Sequence, residues 1–576
     1  MKILALKLTH DGSICVINKN SLECCIELEK QNNNNRFKIL NDTRDIEQLL
    51  NENNYTISEF DDIIVDGWIG NEIGQIEIYD HPKDYQLVVA PYGGTDVGKL
   101  RKIWNFDNFW YKGKNYSYLS TTHLYNHLIG SYLTSPFSKS ADSSYLMVWD
   151  GGTFPLIYFF DPKKNDLEFL GTPLYFGANV YSVFCQHFGP YKKNSNVIKD
   201  ELSIAGKIMA YVGVGDFNME IFSFLEQIYR ELQPSSSKSQ NLPNIPYQFA
   251  TKFIRTTRNM NYRDEDIIST FHYFIEKLLI EGINEILNKD GNRSENFCYS
   301  GGAALNIKWN SKIRETLNLN TWIPPFPNDS GSSIGAACAI LYNKYDIKSL
   351  NWNVYKGAPL KKRKVTTDHT GDWKSIECNI PRLAKILFEL KRPVAFLTDN
   401  AEIGPRALGN RSILADATTF QMKSILNSIK QREEYRAVAP ICIESMSEEI
   451  FVPGGSDPYM LYEHRVKKEW TLKIPAVIHL DGTARLQTIN NSNNKYLYNL
   501  LIEYYKLSNV PVLVNTSANY NGRGFFPDIE SAMSWGGVEF IWSDNLLFYT
   551  ENQTDSLDRI FAQKNIDYQV SKFKNL

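Results

Sequence analysis

Two histidines and two aspartates are the side chains of this sequence best suited to hold a metal ion. His123 and His127 lie four residues apart in THLYNH, so on a helix their imidazoles share one face and suit a single transition-metal ion. Such a pair is as often structural unless carboxylates lie nearby. Asp150 and Asp329 are the candidates, because each follows or lies in a tight loop where a side chain can point into a cleft.

Glycine-rich turns offer a second kind of chemistry, the binding of phosphate. In FCYSGG a predicted strand runs into Gly301 and Gly302 before a helix, which leaves free N–H groups at the helix N-terminus. In NDSGSSIG the small residues around Gly331 open an apolar helix predicted from Ile334 to Leu341. An ordinary N-capped helix is the equal alternative for this second loop, since Asp and Ser are favoured caps.

Arginines and small polar residues recur beside turns and strand ends in the last third of the chain, where binding sites are commonly built. Guanidinium groups match the geometry of phosphate and carboxylate, and they are costly to bury without an anionic partner. Scattered surface arginine is the ordinary alternative. The segments are EIGPRALGNRS with Arg406 and Arg411, KQREEYR with Lys430, Arg432 and Arg436, DGTAR with Arg485, and the strand Val510 to Val514 followed by NTSAN.

The elements that must position the N-terminal candidates repeat along the chain. A strand from Lys2 to Thr9, the turn HDGS and a strand from Ile14 to Asn18 form a predicted hairpin with Asp11 in its turn. The apolar strand Ser144 to Trp149 also runs into an Asp-Gly pair, at Asp150. Two such units indicate an internally duplicated α/β fold, as in the ATPases of the actin and sugar-kinase type.

A domain boundary is predicted where the composition changes. Residues 357–373 are charged, turn-rich and weakly apolar, and an α/β pattern restarts after them. We therefore expect one domain over residues 1–356 and a second over 374–576. The basic run from Lys361 to Lys364 fits a solvated linker better than a nucleic-acid patch.

Helical periodicity predicts two helices outside the motifs. One runs from Tyr262 to Leu287 in the first domain. The other runs from Ile380 to Leu390 in the second domain, where a strand from Pro393 to Thr398 follows it.

Composition excludes several classes of protein. The chain has 576 residues, of which 43% are hydrophobic and 13% aromatic, as in globular proteins of two or more domains. A net charge of -3 neither requires nor excludes nucleic acid. No apolar run reaches the roughly 18 residues of a membrane span, and the N-terminus turns polar too early for a signal peptide. Eight cysteines without a CxxC pair indicate reduced thiols, so we expect a cytoplasmic protein.

Nine motifs stand in a distinctive order: HDGS, HLYNH, AGKIMA, SGGAALNIKWN, NDSGSSIGAACA, EIGPRALGNRSILAD, KQREEYRAVAPI, DGTARLQ and VLVNTSANYNGRG. With this order the chain resembles, over essentially its whole length, the O-carbamoyltransferases of the nodulation-factor, aminoglycoside, cephamycin and novobiocin type. The resemblance implies a duplicated ASKHA-type (actin/sugar-kinase-like) α/β domain followed by a YrdC-like α/β domain. The chain departs from the family pattern in ELEK and the following Asn run, and from Tyr181 to Ile204, where acceptor pockets often differ.

The resemblance also implies a reaction in two steps. The YrdC-like domain would form carbamoyl adenylate from carbamoyl phosphate and ATP, and this intermediate would pass internally, protected from water. The ASKHA-type domain would then transfer the carbamoyl group to an acceptor hydroxyl and release AMP. Fe²⁺ or a similar divalent ion would occupy the site of His123, His127, Asp150 and Asp329, with Mg²⁺ a further candidate cofactor.

Motif by motif, the resemblance assigns roles to residues. His10 and Asp11 would handle the acceptor hydroxyl, where His10 suits a general base by its ordinary pKa and Asp11 is the alternative. The residues implied in activating the carbamoyl group are Lys430, Arg436, Ser517 and Asn519. Those implied in binding the nucleotide and phosphates are Arg406, Arg411, Arg485, Arg523, Lys207, Gly301, Gly302, Asn306 and Gly331.

The acceptor stays open, as does the oligomeric state, for which a homodimer is one option. A small-molecule or natural-product hydroxyl is the first hypothesis. The basic, aromatic segment 249–263 would instead suit 5-hydroxymethylcytosine in phage DNA, although a solvated helix face is its ordinary interpretation. A nucleotide-sensing regulator on the same scaffold is the non-enzymatic alternative. A hydrogenase-maturation type carbamoyltransferase is disfavoured, because the CxxC zinc fingers of such chains are missing from the sequence.

Overall fold

A computed structural model describes residues 1–70, 72–192, 202–233, 244–361 and 373–562. None of the helices in these ranges combines the length and the apolar character that a bilayer crossing needs. The chain divides into two compact units, the first formed by Met1–Ala358 with Ile403–Pro405 and the second by Pro359–Glu402 with the chain from Arg406 onward. Most of the predicted linker and of its basic run lies outside the described residues.

The first unit contains both predicted strand–Asp-Gly units. Its strands are β1 Lys2–Lys7, β2 Ser13–Asn18, β3 Ser21–Glu27, β4 Asp62–Asp66, β5 Gly74–Asp80, β6 Lys83–Val89, β7 Ile103–Tyr111, β8 Lys114–Thr121, β9 Ser144–Val148, β10 Leu156–Asp161, β11 Asp166–Gly171, β12 Asn296–Ser300 and β13 Asn320–Trp322. Its helices are α1 Thr43–Glu52, α2 Val97–Leu100, α3 His123–Leu133, α4 Val180–Cys185, α5 Ala205–Tyr211, α6 Met219–Leu232, α7 Ile245–Thr256, α8 Asp264–Lys289, α9 Ile307–Leu317 and α10 Ser332–Tyr345.

Two sheets of this unit share one topology. The first has the order β3-β2-β1-β4-β8-β7 and the second the order β11-β10-β9-β12-β13. In the first sheet, β1 pairs antiparallel with β2 and parallel with β4, and β4 pairs parallel with β8. In the second sheet, β9 pairs antiparallel with β10 and parallel with β12, and β12 pairs parallel with β13. The shared pattern confirms the predicted α/β class and the internal duplication.

Buried strand composition explains why the two halves fold alike. Each of β1 and β9 has an antiparallel neighbour on one side and a parallel neighbour on the other, and both strands are almost entirely buried. Strands covered on both faces read as continuous apolar runs, as KILALK and SYLMV do. Polar residues therefore stand at the strand ends. Lys7 is the last residue of β1 and Asp150 follows shortly after β9, so the two lie at equivalent edges of their sheets.

Helix α3 follows β8 and helix α10 follows β13, and both helices lie in one hydrophobic core with the two sheets. They approach closely because glycines face each other: a Cβ on Gly335 would stand 2.2 Å from the Asn126 carbonyl oxygen, and one on Gly130 2.8 Å from Gly335 Cα. The N-terminal ends of these two helices are therefore held in fixed register.

The second unit is built on a mixed sheet with helices packed on it. Its strands are β14 Trp373–Glu377, β15 Val394–Leu397, β16 Arg411–Asp416, β17 Ala439–Ile443, β18 Phe451–Val452, β19 His464–Val466, β20 Thr483–Ala484, β21 Gln487–Ile489, β22 Val512–Ser517, β23 Phe540–Ser543 and β24 Leu546–Thr550. Its helices are α11 Ile380–Leu390, α12 Met422–Ile429, α13 Ser447–Ile450, α14 Lys495–Ser508, α15 Ile529–Trp535 and α16 Thr554–Ala562. The main sheet has the order β14-β24-β23-β15-β16-β22-β17-β21.

We expect Gly335→Ala to destabilise the first unit by about 1–3 kcal/mol or more, because the added methyl group overpacks the α3–α10 contact. Denaturant unfolding measures the change. Gly206→Ala in α5 is the matched control, since its Cβ would meet nothing within 4 Å, and it should be neutral or stabilising. Equal stability of the two variants would contradict the described crossing.

Candidate functional site

The four predicted metal ligands converge in the first unit. One ligand atom from each of His123, His127, Asp150 and Asp329 lies within 4.8 Å of the others. Both Nε2 atoms, of His123 and of His127, lie 3.4 Å from Asp329 Oδ1. The two imidazoles come from successive turns of α3, and Asp329 opens the short helical turn before α10. The glycine contact between these helices therefore positions the cluster.

The donor atoms of this cluster fit a metal ion. His123 Nε2 and His127 Nε2 are buried without a hydrogen-bond partner among the described residues. Buried polar atoms are rarely left unpaired in native proteins. Two imidazole nitrogens and two carboxylates are a donor set suited to a divalent transition ion such as Fe²⁺. These residues would hold the ion.

A lysine and a further aspartate surround the cluster. Lys7 Nζ lies 2.9 Å from Asp66 Oδ2 and 2.7 Å from Asp329 Oδ2, with all three side chains almost fully buried. Asp66 also accepts a hydrogen bond from His123 Nδ1 at 2.8 Å and from Asn126 Nδ2 at 2.6 Å. Burial opposes ionisation, but Lys7 and His123 outweigh it and lower the pKa of Asp66 to about 2.

The charges of the cluster reinforce one another. Burial alone would lower the pKa of His123, yet Asp66 and Asp329 raise it well above its usual range. Burial alone would raise the pKa of Asp329, yet Lys7 and His123 hold it well below its usual range. The carboxylates are therefore ionised before any ion binds.

Asp150 is held from two sides. Its Oδ1 accepts a hydrogen bond from Gly302 N at 3.1 Å, and its Oδ2 accepts one from the Tyr92 hydroxyl. Its Oδ2 also lies 3.6 Å from His123 Nε2. The loop after β12 thus fixes the carboxylate that follows β9.

His10 and Asp11 lie beside the cluster. His10 Nδ1 is 2.9 Å from Asp11 Oδ2, and its Nε2 is 3.5 Å from Asp329 Oδ2. His10 is 35% exposed, whereas Asp11 is 9% exposed and adopts a left-handed backbone conformation with φ 56°. Burial would lower the pKa of His10, but Asp329 and Asp11 raise it. Of the two candidate bases, His10 is the one that faces solvent.

The predicted phosphate loops lie next to these ligands. Gly301 has φ 94°, and a Cβ on it would stand 2.3 Å from the Trp149 carbonyl oxygen, so only glycine fits there. Gly331 is similarly restricted, because its Cβ would stand 2.2 Å from the Phe326 carbonyl oxygen. Asn306 caps α9 through Oδ1, while its buried Nδ2 has no hydrogen-bond partner among the described residues. The amide of Asn306 therefore keeps a donor available.

Lys207 lies on α5 and is half-buried. No described hydrogen bond or ion pair joins it to the metal-ligand cluster, so its predicted nucleotide contact stays a prediction. The strand–turn–helix loops around Gly301 and Gly331 do meet at the cluster.

A second polar cluster lies in the second unit. Lys430 Nζ donates to the carbonyl oxygens of Ser517 and Asn519, at 2.9 and 2.7 Å, and to Asn519 Oδ1 at 2.5 Å. Ser517 Oγ donates to the same Asn519 Oδ1 at 2.6 Å. The end of β22 and the end of α12 thus bring three of the four predicted activating residues together.

Arginines converge in the same unit. Burial together with Arg436 and Arg485 lowers the pKa of Arg432 to about 9. Burial and Arg436 lower the pKa of Arg485 to about 10, although Asp457 opposes them. Buried nitrogens of both side chains, Arg432 Nη2 and Arg485 Nε, have no hydrogen-bond partner among the described residues. Guanidinium groups that repel one another and have N–H donors without a partner among the described residues are suited to bind a polyanion.

The other predicted arginines differ in placement. Arg411 is 1% exposed and donates to the carbonyl oxygens of Thr398, Asp399 and Asn410. These hydrogen bonds give Arg411 a structural role in the EIGPRALGNRS loop, and its nucleotide contact stays a prediction. Arg406 is half-buried, and Arg523 is exposed with its guanidinium 5.4 Å from the Tyr520 ring.

Sequence reasoning missed several of these residues. Lys7, Asp66 and Tyr92 were not predicted, and Arg432 was noted without a role. Asp66 did carry a signal, since it ends the apolar strand β4 and forms an Asp-Gly pair with Gly67, as Asp150 forms one with Gly151 shortly after β9. Arg432 follows Lys430 by two residues, which places both at the end of α12.

Two family models match the chain. The model described as "Carbamoyltransferase N-terminus" matches residues 2–338, and the model described as "Carbamoyltransferase C-terminus" matches residues 384–541. The matched segments contain every candidate site residue named above.

Curated relatives match along nearly their whole length. A protein named Nodulation protein U from Azorhizobium caulinodans is 39% identical over 559 residues, which cover 95% of this chain and 98% of the relative. Another protein of the same name, from Sinorhizobium fredii, is 38% identical over 568 residues, which cover 96% of this chain and 100% of the relative. The 3'-hydroxymethylcephem-O-carbamoyltransferase of Streptomyces clavuligerus is 28% identical over 529 residues, covering 91% and 94%.

Metal-free protein should bind Co²⁺ with visible absorption typical of mixed nitrogen and oxygen ligands. His127→Ala removes one of the four converging donors, so we expect Co²⁺ affinity to fall by at least about tenfold. Titration followed by absorbance measures it. His81→Ala is the matched control, because His81 is exposed and belongs to no such group. Equal affinity in His127→Ala and the wild type would rule out this ligand set.

Arg485→Met should impair ligand binding, whereas Arg411→Met should lower the stability of the protein. Arg485→Met should stay folded but weaken the binding of ATP and carbamoyl phosphate by about 10- to 100-fold, the value of a charged hydrogen bond. Arg411→Met should lose about 1–3 kcal/mol of stability for each buried backbone carbonyl that is left without a donor. Calorimetric binding and denaturant unfolding separate the two outcomes. If Arg411→Met is fully stable but binds nucleotide more weakly, the result would instead support the predicted contact between Arg411 and the nucleotide.

Proposed function

The chain belongs to the carbamoyltransferase family, and from that premise we propose that it is an ATP-dependent O-carbamoyltransferase working in two steps. In the second unit carbamoyl phosphate and water give carbamate and inorganic phosphate, and a carbamate oxygen then displaces pyrophosphate from the α-phosphate of ATP to form carbamoyl adenylate. The first unit transfers the carbamoyl group to an acceptor hydroxyl and releases AMP. One observation carries the proposal: each unit holds its own polar site, an arginine cluster in one and a histidine–carboxylate cluster beside His10 in the other.

The residues of the second unit suit the activation step. Both co-substrates are polyanions, and the guanidinium groups of Arg432, Arg436 and Arg485 already repel one another in an enclosed place. Bound phosphates would remove that repulsion and meet fixed donors that need no rearrangement. Lys430 is held by the Ser517–Asn519 turn, so its ammonium group is fixed beside the Ser517 hydroxyl. We assign the orientation of the reacting phosphate to this turn.

The residues of the first unit suit the transfer step. An alcohol holds its proton far above neutral pH, so the transfer needs a base within hydrogen-bond reach. Asp11 accepts a hydrogen bond from His10 Nδ1, which leaves Nε2 as the basic atom. Nε2 points toward the Asp329 side of the cluster and is accessible, so His10 takes the acceptor proton and Asp11 orients the imidazole.

A divalent ion held by His123, His127, Asp150 and Asp329 would offset negative charge on the phosphate of the leaving AMP. Backbone N–H groups of the loops around Gly301 and Gly331, with the Asn306 amide, would contact the same nucleotide. These contacts keep the leaving group in place while His10 accepts the proton.

A hydroxyl on a small molecule is the acceptor class we favour. The cephem relative is named for transfer to a hydroxymethyl group. The basic segment 249–263 lends little separate weight to a DNA acceptor, because two of its four cations already pair with carboxylates: Lys252 with Glu231, and Arg263 with Asp216, Glu265 and Asp266.

Single substitutions should separate the two steps. Ser517→Ala should lose carbamoyl-phosphate-dependent formation of AMP and pyrophosphate from ATP, because the second unit can no longer orient the reacting phosphate. His10→Gln should keep pyrophosphate formation but slow carbamoyl transfer by about 10²- to 10⁴-fold, the usual contribution of a general base. Pyrophosphate release and the mass of the acceptor are the two measurements.

His479→Gln is the matched control for His10→Gln, because its ring makes a local hydrogen bond to Thr483. It should leave both measurements unchanged. The division of roles fails if His10→Gln abolishes pyrophosphate formation, or if Ser517→Ala still forms carbamoyl adenylate at the wild-type rate.

A further inference from the structure

The buried ion pair of Lys7 and Asp66 has no role in the chemistry described above. The two groups lie at the ends of the neighbouring parallel strands β1 and β4, and each side chain is 1% exposed. Burying a lysine and a carboxylate is costly, and apolar residues of the same size often stabilise a core as well or better. A pair placed here therefore points to a task other than stability.

Asp66 controls the orientation of one imidazole. Its Oδ2 lies 2.8 Å from His123 Nδ1, and its Oδ1 accepts a hydrogen bond from Asn126 Nδ2 on the same helix. With Nδ1 donating to Asp66, the ring can turn only Nε2 toward the cluster. Carboxylates placed in this way fix the tautomer and the orientation of metal-bound histidines in many proteins.

Lys7 controls the orientation of one carboxylate. Its ammonium group lies 2.7 Å from Asp329 Oδ2, while Asp329 Oδ1 is the oxygen that lies 3.4 Å from both histidine Nε2 atoms. Lys7 also lies 4.5 Å from the centre of the Trp68 ring, so its position is fixed from a third side. Asp329 is thereby left with a single oxygen facing the histidines.

We propose that Lys7 and Asp66 are positioning residues of the metal site, which turn His123 Nε2 and Asp329 Oδ1 toward a shared ion. The inference rests on the metal site of the proposed function. It adds two residues that bind no substrate and act through their neighbours.

The charges agree with this assignment. Asp66, Asp150 and Asp329 contribute -3 and Lys7 contributes +1, so with neutral histidines the set carries -2. A divalent ion would neutralise it. Removing Lys7 and Asp66 together leaves this total unchanged, so a variant without both isolates the effect of orientation from the effect of charge.

The test is the dissociation constant for Co²⁺ of metal-free, full-length protein, measured by calorimetry and by the visible absorption of the bound ion. The double variant Lys7→Met with Asp66→Leu should unfold cooperatively yet bind Co²⁺ about 10- to 100-fold more weakly, with an altered absorption spectrum. The matched control is Glu27→Gln with Lys30→Met, which removes another buried lysine–carboxylate pair of the same unit. The control should keep the wild-type constant and spectrum.

If the double variant does not fold, Asp66→Asn is the second variant, because it keeps the volume of the side chain and should also weaken Co²⁺ binding about tenfold or more. Since it also removes one negative charge, its altered absorption spectrum reports the orientation of the ligands. A folded variant with the wild-type constant and spectrum would overturn the inference alone. A wild-type protein that binds no Co²⁺ would overturn the metal site and the inference with it. Pyrophosphate formation in the second unit does not depend on either and tests the activation step separately.

Discussion

The burial of several charged side chains at one junction is the constraint on which the first unit depends. An isolated charge in a protein interior is unstable, so each buried charged side chain here needs an ion-pair partner. The side chains that provide these partners for one another are Lys7, Asp66, His123 and Asp329. That set requires strand ends and helix starts from both halves of a duplicated fold to meet at fixed distances. The glycine contact between α3 and α10 supplies the necessary register.

The second unit meets the opposite electrostatic problem. Burial and mutual repulsion lower the pKa of Arg432 and of Arg485, and buried nitrogens of both have no hydrogen-bond partner among the described residues, an arrangement that suits an anion. The side chains of one unit thus suit a cation and those of the other suit anions. In the proposed reaction, this difference separates activation of the carbamoyl group from its transfer.

Sequence patterns predicted the parts that depend on local spacing. The i, i+4 histidines, the repeated strand–Asp-Gly units and the helix Ile380–Leu390 are confirmed, and the helix predicted from Tyr262 to Leu287 is shifted by only two residues, as α8. Lys7 escaped prediction because a lysine after an apolar strand ordinarily faces solvent, and only the folded sheet shows two carboxylates around it. The backbone contacts of Arg411 also escaped prediction, because sequence does not show that the carbonyl oxygens of Thr398 and Asp399 lie around its guanidinium group.

In the proposed reaction, activation of the carbamoyl group by ATP leads to carbamoylation of a hydroxyl. The most direct test is mass spectrometry of a panel of hydroxyl-bearing small molecules incubated with the protein, carbamoyl phosphate and ATP. One class of acceptor should gain a single carbamoyl group, with one AMP released for each group transferred. Carbamoylation that proceeds equally well without ATP, or AMP release that needs no carbamoyl phosphate, would contradict it.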